Sequence, residues 1–401
     1  MQRLLDLIPP NVTRIDLLAP PFSGHLHPVL AMGRVLSAHY QVRIISTRGA
    51  HSRIVSAGLE GLTLNGNYDS PILSVANPKY AVRSNPVRLY RQFRSVVSLL
   101  ANFADELEQT WRNEGVPDLA IADFTLPVVG AVCRRLDIRW WSSLPSPCVL
   151  ETPDGAPAYC GGLMPATGAG DRLAHFIHRK KVRMFKRTVF WLFRDVIRQT
   201  GIDRLYRPDG SECAYSPDRV LALGEEAFEF PRTWPASVAF IGPALYTPPT
   251  RGEAPPFIEG KRHVLVTLGT HLDWHKDEVA KAVITLAQGL PDWEFHFTDG
   301  NPVGNGSLRQ GNFTRVAWVD YDRWLSRYDA VIHHGGAGIM WYCVNKGIPA
   351  LVYPVDYDQF DHAARLEYCG KGIWIRGGLK ELMQAGERIK ALTAAGGSIK
   401  A

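Results

Sequence analysis

The chain has 401 residues, 46% of them hydrophobic and 21% charged, which excludes a disordered, collagen-like or coiled-coil protein and is too long for one ordinary core. Two domains are therefore expected. The formal net charge of +6 is spread along the chain and leaves no nucleic-acid footprint, so nucleic acid is not expected as a partner.

At the N-terminus, Asp6 and Pro9-Pro10 interrupt the apolar core that a signal peptide needs, and no run reaches the about 18 apolar residues of a membrane span. A cytoplasmic location is expected. The six cysteines, Cys133, Cys148, Cys160, Cys213, Cys343 and Cys369, contain no C-x-x-C pair, which argues against a disulfide framework or a zinc site and suits a reducing compartment. Residues 13 to 20 read as a strand, and Pro28 then sits where a helix begins, with Val29, Leu30, Met32, Val35 and Leu36 as its apolar face. Between them runs a loop, Pro20 to Pro28, that carries His25 to the C-terminal edge of the sheet, where doubly wound folds place ligands.

Val42 to Ser46 is the next strand, followed by Leu119 to Ala122, a helix near Val128 to Arg135 and a strand near Ile138 to Ser142. Asp123 closes the strand before it, and parallel strands deliver their C-terminal ends to one crevice. A His25-Asp123 dyad suits general-base work: the imidazole takes a hydroxyl proton near neutral pH, and the carboxylate fixes its tautomer. His27 is a local rival for the base, packing or capping is the other reading of His25, and an ordinary helix N-cap is the other reading of Asp123. Trp140 to Pro145 reads as an apolar loop; with Phe22, its Trp141 and Leu144 are candidates for an acceptor pocket.

Arg172 to Arg198 interleaves Arg179, Lys180, Lys181, Arg183, Lys186, Arg187 and Arg194 with aromatic and apolar residues. It is a candidate for peripheral membrane contact, although a solvated helix face is the commoner origin of such a pattern. Arg83, Arg88, Arg91 and Arg94 form a second basic stretch. Prolines and glycines crowd 242 to 260, including Gly252, and are read as a linker. The expected domains are 1–242 and 261–401, joined by 243–260.

A second strand-helix series follows: His263 to Leu268, Trp293 to Thr298, Thr314 to Trp318, Ala330 to Ile332, Ala350 to Tyr353 and Ile373 to Ile375. The fold class is α/β, two Rossmann-like domains facing a cleft. After Ala330 to Ile332 come His333-His334-Gly335-Gly336-Ala337-Gly338, whose glycines let a helix point its free N–H groups at an anion such as a diphosphate. After Ala350 to Tyr353 come Pro354-Val355-Asp356-Tyr357-Asp358-Gln359, which offer acceptor and donor atoms for sugar hydroxyls.

With Thr267-Leu268-Gly269-Thr270 and Trp318 upstream, this arrangement resembles the family 1 glycosyltransferases, enzymes of the GT-B fold that use UDP- or TDP-sugars. The resemblance implies His25 as base with Asp123 behind it. It implies a donor site of Gly269, Thr270, Trp318, Val319, His334, Gly336, Ala337, Gly338, Asp358 and Gln359, with Trp318 stacking on the nucleobase. The implied reaction is inverting transfer of a hexose to a hydroxyl of a small apolar natural product or lipid. It needs no metal and no cofactor beyond the nucleotide sugar as co-substrate.

The chain departs from the family at Asp320 and Tyr321, where Pro and Gln are usual, at Ile339 in place of Ser or Thr, and at Tyr342 in place of a ribose-binding Glu. The 42 residues after Gln359 also imply a shortened closing brace. Two competing functions remain: a nucleotide-sugar epimerase of the same fold, and a catalytically silent nucleotide-sugar-binding auxiliary protein. The sequence leaves the oligomeric state open.

Overall fold

A computed structural model describes residues 2–79, 85–249, 253–302, 304 and 306–394. Arg83 in the second basic stretch, Gly252 in the linker and the tail Ala395 to Ala401 lie outside the described residues. The chain forms two compact units that divide between Pro248 and Pro249, except that a segment beginning at Asn77 and the segment Ala158–Met164 group with the second unit.

The first unit is built on seven strands: β1 (Arg14–Leu18), β2 (Gln41–Thr47), β3 (Glu60–Leu64), β4 (Leu119–Asp123), β5 (Arg139–Leu144), β6 (Val220–Ala222) and β7 (Val238–Phe240). All pair in parallel in the order β3-β2-β1-β4-β5-β6-β7. Side chains alternate between two cores, as a sheet covered on both faces requires: Leu119 and Ile121 pack on one side, Ala120 and Ala122 on the other. The chain leaves β1 towards β2 on one side and reaches β4 on the other, so the crevice at the β1/β4 edge is a topological switch point.

The second unit has β8 (Arg262–Thr267), β9 (Trp293–Thr298), β10 (Ser307–Gln310), β11 (Phe313–Val316), β12 (Ala330–His333), β13 (Ala350–Val352) and β14 (Gly372–Trp374). Their order is β10-β11-β9-β8-β12-β13-β14, with β10 as an antiparallel edge. Its switch point lies between β8 and β12. Thr267, His333 and Val352 stand side by side in register, so the three loops that follow these strands leave the same edge of the sheet.

Several elements differ from the sequence expectation. A short helix, Gln2–Leu7, precedes β1; the helix after β1 spans Ser23–Leu36 with Pro28 inside it, because Phe22 already has the extended conformation of a preceding residue and five residues fold ahead of the proline. The strand expected near Ile138 to Ser142 is present as β5 but runs on to Leu144, so Trp140 to Leu144 is not a loop. The basic aromatic stretch is two helices, Ala169–Leu192 and Arg194–Gln199. The long helix Pro86–Glu114, capped by the Asn85 side chain at Val87 N and Arg88 N, had no counterpart in the sequence reading. The linker is also shorter than expected: Ala244 and Tyr246 belong to the first unit's core, while Phe257 packs against His263, His296 and Tyr328 of the second.

Candidate functional site

In the first unit the register pairs Leu18 with Ala122, so the turn after β1 and Asp123 emerge together. His25 lies in the first turn of the Ser23–Leu36 helix, not in the loop. Its Nδ1 is 3.0 Å from both Oδ1 and Oδ2 of Asp123. The carboxylate is buried and the imidazole is 26% exposed. Thr125 N and Oγ1 also donate to Asp123 Oδ1, so the aspartate caps the following turn while it holds the histidine. Nδ1 therefore carries the proton, and Nε2 is the basic nitrogen.

His27 is in a different environment. Burial, and then the Arg53 guanidinium, push its pKa down to about 4, and its ring packs edge-on against Tyr246. Of the acceptor candidates, Phe22 is half-buried and its ring meets His25 edge-on at 6.2 Å. Trp141 and Leu144 are buried in β5, and Trp141 belongs to a core cluster. Those two do not form a loop pocket: strand alternation points Trp141 into the packing between sheet and helices.

In the second unit His334 leaves β12 between two glycines. A Cβ on Gly269 would come within 2.9 Å of its Cε1, and one on Gly336 within 2.5 Å of its Nε2. The missing side chains thus make room for the ring. Burial pushes the His334 pKa down to about 4, against a smaller upward pull from the Thr267 main chain, so the ring is neutral at pH 7. Its Nδ1 is buried without a hydrogen-bond partner among the described residues.

The helix Ala337–Lys346 begins at Gly336, in extended backbone and with no side-chain cap. Its first turn, Ala337, Gly338 and Ile339, presents main-chain N–H groups with no intrahelical partner. Gly338 is exposed.

Two residues overlooked in the sequence fix the turn. His333 Nδ1 accepts from Gly335 N at 3.0 Å, and His362 Nδ1 donates to Gly335 O at 2.6 Å. Gly335 has φ +92, and a Cβ there would meet Gln359 O at 2.8 Å. The tandem histidines were visible in the sequence; His362, 27 residues beyond Gly335, carried no signal.

Gln359 Oε1 accepts from Val355 N at 2.9 Å and Asp356 N at 3.1 Å. Its carbonyl closes the loop, leaving the amide N–H groups to donate. Asp358 precedes the helix Gln359–Tyr368 and is half-buried.

Trp318 lies two residues beyond β11 rather than in it. Its ring stacks on Tyr321 at 6.1 Å and 23°, and Tyr321 meets Tyr342 edge-on at 5.6 Å. The Tyr321 hydroxyl is 3.0 Å from Thr267 Oγ1, which accepts from Gly269 N. The altered positions 321 and 342 are thus one aromatic assembly beneath Trp318, and Asp320 caps the helix Tyr321–Trp324 through Arg323 N. Ile339 and Val319 are buried, and Thr270 is half-buried. Among the described residues no cluster of His, Cys, Asp or Glu could hold a metal ion.

Two Rossmann-like units, each with its polar constellation at a switch point, define the GT-B architecture. The chain is a glycosyltransferase of that fold, similar to the family 1 enzymes of natural-product pathways. Residues 304–393 match the C-terminal domain of erythromycin biosynthesis protein CIII-like enzymes. Over 377 residues the chain is 25% identical to O-mycaminosyltylonolide 6-deoxyallosyltransferase of Streptomyces fradiae, covering 89% of this chain and 84% of that one.

The glycotransferase of kitacinnamycin superposes with a TM-score of 0.66 at 20% identity, covering 97% of each chain. Spinosyn rhamnosyltransferase complexed with thymidine diphosphate superposes with a TM-score of 0.60 at 17% identity, covering 96% of this chain and 94% of that one.

Proposed function

We propose that the chain transfers a hexose from a TDP- or UDP-sugar to a hydroxyl of a small apolar natural product, inverting the anomeric centre. The observation that carries this reading is the His25-Asp123 pair at the first unit's switch point. Nε2 of His25 takes the acceptor proton as the oxygen attacks the anomeric carbon. The buried Asp123 carboxylate stabilises the imidazolium that forms.

The second unit supplies the donor site. The first turn of the Ala337–Lys346 helix and the unpartnered His334 Nδ1 suit a diphosphate, whose charge grows as the glycosyl bond breaks. Because the N-terminus of the Ala337–Lys346 helix supplies the positive potential, the reaction proceeds without a divalent metal. Trp318 stacks on the nucleobase through the face that Tyr321 does not cover. Asp358 and the Gln359 amide bind sugar hydroxyls. The thymidine diphosphate complex of a relative in the same fold supports a TDP-sugar as the first donor to try.

The test is a matrix of UDP- and TDP-hexoses against apolar polyketide and carotenoid alcohols, with chelator present and product read by mass spectrometry. A mass increase of one hexose on the acceptor supports transfer. Epimerised donor without acceptor consumption would favour an epimerase, and neither transfer nor donor hydrolysis would favour a silent binding protein.

A further inference from the structure

An amphipathic helix packed on a globular body normally turns its apolar stripe inward. The helix Ala169–Leu192 does the reverse. Its inward side is held by charge: Arg183 Nε to Glu151 Oε2 at 2.8 Å, and Lys186 Nζ to Glu151 Oε1 and Glu212 Oε1 at 2.9 Å each. Arg179 also donates to Gly155 O at 2.7 Å.

The outward side carries Leu173, Ile177, Met184 and Trp191, spaced four, seven and seven residues apart and so aligned along one line. Leu173 is 60% exposed, Met184 65% and Trp191 62%. Exposed Lys180 and Arg187 flank the line on one side and Lys181 on the other, with no Asp or Glu from Arg172 to Leu192. The patch continues onto the Pro86–Glu114 helix, where exposed Tyr90 stacks on Phe193 at 5.4 Å and Val87, Arg91 and Arg94 face solvent.

A contiguous apolar strip of this kind marks an interaction surface. We propose that this face rests on an anionic lipid bilayer, with the Ala169–Leu192 helix lying in the plane of the interface. Large apolar side chains flanked by lysine and arginine, on a helix of low overall hydrophobicity, are the composition that binds there. No helix among the described residues is long and apolar enough to cross a membrane, which fits contact from one side. A symmetric second copy is a poor occupant, because a two-fold interface would set Lys180, Lys181 and Arg187 against one another with carboxylates only beyond the two ends of the strip, at Asp171, already bonded to Thr167, and Asp195, already paired with Arg194. Phosphate-bearing headgroups answer all three.

The test is sedimentation of the full chain with vesicles of phosphatidylcholine alone or containing phosphatidylglycerol. The chain is expected to pellet with the phosphatidylglycerol vesicles and to be released as salt rises. The pair Lys180→Gln and Lys181→Gln should weaken binding by about fivefold per charge removed. Met184→Gln with Trp191→Gln should abolish it, with thermal unfolding unchanged because neither side chain packs in the core. Failure to bind phosphatidylglycerol vesicles, or equal binding by the Met184→Gln, Trp191→Gln variant, would overturn the proposal. A concentration-dependent dimer without vesicle binding would instead assign the face to a second copy, and capture of a soluble acidic protein without vesicle binding would assign it to that partner.

Discussion

His25 and His27 are two residues apart and chemically identical, and their surroundings separate them. His25 has a carboxylate at 3.0 Å and a partly exposed ring, whereas His27 is held near a pKa of 4 by burial and Arg53, too weak a base for work at neutral pH. The sequence presented both without this distinction, since what differs is a partner 98 residues away. Gln359 offers a second residue-scale distinction. Because its carbonyl already closes the loop and only its N–H groups can donate, Gln359→Glu should keep the loop and lose the donor. KM for the sugar nucleotide should rise about tenfold or more, with unfolding temperature nearly unchanged; an unaltered KM would remove Gln359 from the sugar site. His333 sets the pH behaviour of this turn. Burial lowers its pKa to about 3 from 6.5, so below 6.5 the unfolded chain binds the proton and the folded one does not. Its contribution is therefore fully present above pH 6.5 and falls by about 1.4 kcal/mol per pH unit as pH drops towards 3. Denaturant titrations across that range should show a shallower decline for His333→Asn, which keeps an acceptor for Gly335 N but does not titrate.

Between elements, the first unit depends on one buried polar junction. Arg43 on β2 makes a bidentate pair with Asp16 on β1 at 2.8 Å, and Trp111 Nε1 of the Pro86–Glu114 helix donates to the same carboxylate at 2.7 Å. Arg43 also donates to Glu114 O and Gly115 O. Burial raises the Asp16 pKa despite Arg43, so a lone carboxylate would be costly there. Arg43→Ala should lower unfolding free energy by about 3 to 5 kcal/mol, and adding Asp16→Asn should recover part of the loss; an Arg43→Ala loss under 1 kcal/mol would show the junction to be relaxed or hydrated. Such junctions resist sequence reading because an Arg and an Asp at mid-strand break the apolar run without revealing their pairing. The strands β4 and β12 were legible because both faces are covered and they run apolar up to their last residue, while β1, β8 and β9 were legible from the apolar residues that surround buried Asp16, His263, Glu294 and His296. The three-residue strands β6 and β7 escaped the reading, whereas β13 and β14, equally short, were read from apolar runs that extend past the strand, Ala350 to Tyr353 and Ile373 to Ile375, and the long second basic helix reads as charge rather than periodicity.

For the whole molecule, the alternation of strand and helix on either side of the proline-rich stretch made two Rossmann-like units legible. The exact division was not, because Ala244, Tyr246 and Phe257 declare their allegiance only by packing. The segment Ala158–Met164 joins the second unit through contacts such as Tyr159 N to Asp361 Oδ2 at 2.9 Å, which no local pattern encodes. On the proposed mechanism the units divide the labour: the first supplies the base and the second holds the donor. Chemistry and donor affinity should therefore be separable by mutation. The most direct measurement is turnover of His25→Ala at saturating donor, paired with calorimetry of nucleotide diphosphate binding to the same variant. The mechanism predicts that turnover falls by about 10² to 10⁴-fold while nucleotide affinity stays within twofold of the parent chain. Near-normal turnover in His25→Ala would contradict it.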